Sequence, residues 1–143
     1  MADETLFEKI VSGQIPSHSV GRGDGWYAFL DINPRRPGHT LVVPNQGVSH
    51  LAKLSASEAC CLIEGVQETQ RKLATVFETS DFSVVLHDGR LAGQEVPHVH
   101  FHVIPRNPGD GGRTLLAMWP DSSTGLNPEN SSLSKLSSKL MEV

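Results

Sequence analysis

At 143 residues the chain has the length of one compact domain. Apolar residues make up 38%, and thirteen glycines bring the sum to an ordinary globular share, so a buried core can form. Twelve Lys and Arg against sixteen Asp and Glu give a formal charge of −4 with the signs interspersed, which speaks against a duplex nucleic-acid binder, and no apolar run approaches the roughly 18 residues of a membrane span.

Met1-Ala2-Asp3-Glu4 has neither the basic start nor the apolar stretch of a secretory leader. Asp3-Glu4-Thr5 precedes Leu6, Phe7, Ile10 and Val11, whose spacing predicts a short N-terminal helix stopped near Gly13. His18 to Val20 and Trp26 to Leu30 flank Gly21-Arg22-Gly23-Asp24-Gly25, a composition that predicts a β-hairpin. Asn33-Pro34-Arg35-Arg36-Pro37-Gly38 reads as a turn and His39 to Val43 as a strand closed by Pro44, completing an antiparallel meander. Ser55 and Glu58 have capping-box spacing, and a long helix is expected from there to about Phe77, with Ala59, Leu62, Ile63, Val66, Leu73, Val76 and Phe77 as its apolar stripe. The two cysteines, Cys60 and Cys61, are adjacent, so a bond between them would be strained and staple no loop; reduced thiols in a cytoplasmic protein are expected.

Phe82 to Leu86 and His98 to Ile104 are expected to pair across the sheet, with the Gly89-to-Pro97 loop between them. After Pro105 the chain turns to Gly, Pro and Ser. The organisation expected is one domain over 1–110 and a C-terminal arm over 111–143, flexible or partly helical, because Leu133, Leu136, Leu140 and Met141 recur at helical spacing.

The segment that carries chemistry is His98-Val99-His100-Phe101-His102-Val103-Ile104. On a strand, alternate residues leave the same face about 6.5 to 7 Å apart, so three imidazoles would form a ridge backed by Val99, Phe101 and Val103. Such a ridge could be a solvated face, two or three ligands of a zinc site that lacks an evident fourth, or a nucleophilic imidazole with two assistants. Upstream, the glycines of His87-Asp88-Gly89-Arg90-Leu91-Ala92-Gly93-Gln94 offer backbone amides to an anion, which tilts the balance toward phosphoryl chemistry.

His98 to Ile104 followed by Pro105-Arg106, with Ala92-Gly93-Gln94 just before, resembles the histidine triad (HIT) superfamily. Leu6 to Pro16, Ala28 to Pro34 and Pro37-Gly38-His39-Thr40-Leu41-Val42-Val43-Pro44 follow the same family's pattern in order and spacing, so the resemblance spans roughly residues 5 to 106. It implies an α+β, HIT-like fold with an antiparallel sheet meander, a long helix and a short N-terminal helix. It also implies a nucleotide hydrolase or transferase that works through a nucleotidyl-histidine intermediate.

By that resemblance His100 is the nucleophile, flanked by His98 and His102, which contact phosphate oxygens and assist proton delivery to the departing group, and braced by His39. Gly93, Gln94 and Glu95 fall at the phosphate site, Asp31 at the ribose, and Leu6, Phe7, Ile10, Phe29 and Ile32 around the base. Asp31 could also only organise its turn, and Arg106 could neutralise phosphate or lie on the surface. The substrate implied is a purine nucleotide conjugate, a nucleoside phosphoramidate before a dinucleoside polyphosphate; a non-catalytic nucleotide-binding scaffold is the rival of another class. A homodimer is implied, with Trp119-Pro120 of the arm as a candidate contact with the neighbouring site.

Two departures stand out. Many members bind zinc with a Cys-x-x-Cys near the N-terminus and a histidine after the Pro-Gly-His strand; Thr5, Glu8 and Gly47 occupy those places here, so no metal and no cofactor are expected. His87 stands where members usually carry Asn or Gln beside the scissile phosphates. It would be an extra proton donor or a neutral replacement that keeps one hydrogen bond.

Overall fold

The computed structural model describes residues 3–118 and 126–143 and divides into two units, Met1–Pro108 and Gly109–Val143. In the first, α1 (Leu6–Val11) begins on a complete capping box: Thr5 Oγ1 accepts the Glu8 N–H, and the Glu8 carboxylate accepts the Thr5 N–H. β1 (Ser19–Gly23) and β2 (Trp26–Leu30) form the expected hairpin, and β3 (Thr40–Pro44) pairs antiparallel with β2. α2 (Ala56–Phe77) starts where Ser55 Oγ accepts the Glu58 N–H and ends at Glu78 in a left-handed conformation.

β4 (Phe82–Leu86) and β5 (Phe101–Pro105) pair as expected, but the sheet order is β1-β2-β3-β5-β4. The meander therefore ends at β3. The connection through α2 sends β4 to the outer edge, and β5 returns between β4 and β3, which puts its histidine in the middle of the sheet.

Alternation gives each face its partner. Trp26, Ala28, Val42, Val99 and Val103 meet Leu62, Val66 and Leu73 of α2; Tyr27, Phe29, Leu41 and Val43 are covered by Phe7, Ile10 and Val11 of α1. The stripe of α2 is rotated from the one expected. Ile63 and Val76 are exposed, while Gly65 and Thr69 are buried, because Gly65 faces the Trp26 indole and a Cβ there would lie 2.6 Å from it. A large residue at the sheet's end thus selects a helix face that hydrophobicity alone does not.

In the second unit α3 (Asn130–Met141) realises the helical spacing of the arm, with Leu133, Leu136, Leu140 and Met141 exposed. Trp119-Pro120 lies outside the described residues. Cys60 and Cys61 are free thiols on α2. Among the described residues no helix is long and apolar enough to cross a membrane.

Candidate active site

On the α1 side of the sheet is a cavity of about 570 Å³, within the usual range for a small-molecule site. Leu6, Phe7, Ile10, Phe29, Asp31, Ile32, His39, His87, Gly93, Glu95, His100 and His102 all line it. Two expected site residues do not. The Gln94 amide donates instead to the Ser49 carbonyl, and His98 is completely buried behind the wall.

The histidine track is accordingly not one uniform strand. β5 begins at Phe101; before it, the His98 N–H bonds Val96 O and the Val99 N–H bonds Val48 O, so loops rather than neighbouring strands satisfy this backbone. Part of the glycine loop is also self-satisfied. The N–H groups of Ala92, Gly93 and Gln94 donate to the carbonyls of Gly89 and Arg90, so these three are not the amides that would meet an anion. Gly93, at φ +101°, ends this turn in a conformation that L side chains rarely adopt.

Hydrogen-bond partners assign the protons of each ring. His98 Nε2–H donates to Pro44 O at 2.8 Å, and its Nδ1 accepts from Thr5 Oγ1 at 2.7 Å. His100 Nδ1–H donates to the His98 carbonyl at 2.8 Å, so the lone pair of His100 is on Nε2, the ring edge turned away from the backbone. His39 Nδ1 accepts the Arg35 N–H at 3.1 Å, which places the His39 proton on Nε2, where it donates to His102 Nδ1 at 2.9 Å. His102 in turn carries its own proton on Nε2. A nucleophilic nitrogen and a hydrogen-bond donor therefore stand on adjacent rings, whose centroids are 5.0 Å apart.

Burial keeps these rings neutral. It lowers the pKa values of His39, His98 and His100, and it brings His102 to about 4, helped by the positive charges that His100, His39 and His87 would place beside it. Between 6.5 and about 4 the unfolded chain binds the proton that folded His102 refuses, so stability is complete above about 6.5 and is lost as pH falls through that window. We expect His102→Gln to flatten the fall in melting temperature between about pH 7 and about pH 4.5. Parallel falls in the two proteins would refute the assignment.

Asp31 serves two ends: Oδ1 accepts the Asn33 N–H at 2.8 Å, organising the turn, while Oδ2 lies 3.6 Å from His39 Nε2. Asp31, His39 and His102 bring donor atoms within 4.8 Å of one another, but the His39–His102 contact is a hydrogen bond that continues from the Arg35 amide. The positions that the family resemblance links to zinc do converge. Thr5 bonds His98, and the Glu8 carboxylate fills the space beside Gly47, so a hydrogen-bonded helix cap occupies this corner.

Arg35 also lines the cavity; in the sequence it belongs to a turn, and its only signal as a site residue is its place four residues before His39. Arg106 does not line it, and its Nη1 donates to Ser83 Oγ.

The HIT domain family model matches residues 12–109. An uncharacterised HIT-like protein of Methanocaldococcus jannaschii is 45% identical over 106 residues, covering 74% of this chain and 81% of that protein. The adenosine 5'-monophosphoramidase of Saccharomyces cerevisiae is 36% identical over 119 residues, 83% of this chain and 72% of the yeast one. A crystal structure of a HIT-family protein from Bacillus subtilis matches with a TM-score of 0.83 at 30% identity, over 98% of this chain and 96% of that one. The chain belongs to the HIT domain family.

Proposed function

We propose that the protein is a nucleotide hydrolase that cleaves at the α-phosphate of a purine nucleotide conjugate, a nucleoside phosphoramidate in the first place, through a nucleotide bonded to His100. One observation carries this: His100 Nδ1–H is committed to a backbone carbonyl, which leaves Nε2 unprotonated on the ring that lines the cavity. A binding scaffold needs the cavity but no such nitrogen. The name of the yeast relative, similar over 83% of this chain, supports the choice of phosphoramidate.

In the first step His100 Nε2 attacks phosphorus and the leaving group departs with the bonding pair. His102 Nε2–H, held in place by His39, donates to a phosphoryl oxygen as charge develops there. Water then attacks the nucleotidyl-histidine, the pair returns to Nε2 and the monophosphate is released. Phe7, Phe29, Leu6, Ile10 and Ile32 supply apolar surface for the base, and Asp31 receives the ribose hydroxyls.

The test is AMP release from adenosine phosphoramidate and from diadenosine polyphosphates. Faster release from the phosphoramidate is expected; faster polyphosphate cleavage would reverse the order of substrates, and no release from either would end the hydrolase reading. For the ribose contact, Asp31→Ala should weaken AMP binding roughly tenfold or more, the worth of a hydrogen bond to a charged group. Unchanged affinity in a titration removes Asp31 from that role.

A further inference from the structure

A phosphoramidate nitrogen leaves only after it gains a proton, and the rings already placed at the site cannot supply one. His102 donates through Nε2–H, and its Nδ1 could be refilled only from His39 Nε2–H. His39 Nδ1 in turn accepts a backbone amide, that of Arg35, which has no proton to give. This buried relay orients and stabilises, but it is capped and transfers no net proton. His100 is spent as nucleophile.

His87 differs from all three. It follows directly on β4, is half-buried and lines the same cavity, with its ring 5.5 Å from that of His102 in an edge-to-face arrangement. Its Nδ1–H donates to Ala92 O at 2.8 Å, and Gly93 approaches the same nitrogen, where a Cβ would lie 3.5 Å away. A carbonyl partner at Nδ1 is compatible with both the neutral and the doubly protonated ring, whereas the Nδ1 atoms of His39 and His102 accept hydrogen bonds that a second proton would break. His100 has the same kind of carbonyl anchor but is consumed as the nucleophile, so among the described residues His87 is the remaining imidazole on the cavity that can hold an extra proton without losing its anchor. The other titratable groups on the cavity are His39, His100, His102, Asp31 and Glu95, and Asp31 already accepts from the Asn33 amide.

We propose that His87 is a catalytic acid that protonates the leaving group and makes the site selective for leaving groups that need a proton. The proposal rests on the hydrolase reading above. As His100 Nε2 bonds to phosphorus, the P–N bond breaks, its pair stays on nitrogen, and that nitrogen takes the proton from His87 Nε2. Water then attacks phosphorus, the His100–phosphorus bond breaks, and the proton of the water passes to His87 Nε2, which restores the starting state.

Two substrates with the same nucleotide separate this role from positioning: adenosine 5'-phosphoramidate, whose nitrogen needs a proton, and the 4-nitrophenyl ester of AMP, whose aryloxide leaves without one. His87→Gln keeps a polar group of similar reach and should lower kcat on the phosphoramidate by about a hundredfold or more but on the ester by less than about tenfold. Imidazole added to His87→Ala should restore part of the phosphoramidate rate alone. Equal losses on both substrates, no loss on either, or an amine-selective loss in Glu95→Gln and not in His87→Gln overturns the proposal. Ester cleavage that disappears in His100→Ala shows the hydrolase reading standing whatever His87 does. A wild type that cleaves neither substrate overturns both.

Discussion

His100→Ala is expected to lower kcat on its best substrate by about four orders of magnitude or more, because a lost nucleophile leaves only direct attack by water on a bound phosphate. The effect should be confined to turnover. His100 contributes its ring to the cavity wall and its Nδ1–H to the His98 carbonyl, but Asp31, the base wall and the His39–His102 relay are held by other contacts. AMP binding is therefore expected to stay within about tenfold of wild type, which also certifies a folded variant. Turnover within an order of magnitude of wild type would mean that another atom attacks phosphorus.

The largest effect on stability is expected at Trp26. This indole opens β2, is 6% exposed, and rests in a hollow lined by Gly21, Gly23 and Gly65, where the absence of side chains on β1 and on α2 makes room for it. It touches the same core as Leu62, Val66 and Val103, so truncation opens a void between sheet and helix that neither can close. Trp26→Ala should cost about 3 to 5 kcal/mol in urea unfolding. A loss under about 1 kcal/mol would show that α2 settles into the space and that the glycine hollow is incidental.

Much of this architecture was legible in the chain because its determinants are local. Gly21 to Gly25 marked the hairpin, Ser55 with Glu58 the start of α2, and the β-branched and aromatic run of Phe82 to Leu86 with the alternation of the histidine segment the pairing of β4 with β5. What escaped depends on partners far away in sequence. His98 reads like its neighbours two and four residues on, yet Thr5 and Pro44, 93 and 54 residues distant, draw both its nitrogens inward. Gln94 is turned from the cavity by the Ser49 carbonyl, 45 residues back. Periodicity could not choose between Gly65 and Ile63 for the inner face of α2, since the choice belongs to Trp26 on another element.

The site shows the same division. Its residue types were visible, and the resemblance assigned them roles, but the ring tautomers follow only from three-dimensional contacts: a carbonyl at His100 Nδ1, an amide at His39 Nδ1, a second imidazole at His102 Nδ1. Those contacts distinguish an attacking nitrogen from a donating one. Arg35 is a further example, a turn residue whose backbone amide fixes the protons of two histidines.

The mechanism stands on a covalent bond between nucleotide and His100 Nε2. Excess enzyme is mixed with adenosine phosphoramidate labelled at phosphorus, quenched into alkali at successive times, digested and mapped. We expect label on the peptide that contains residues 98–102, localised to His100, rising and then decaying as AMP appears. AMP formed at the full rate with the protein unlabelled at every time point would contradict it.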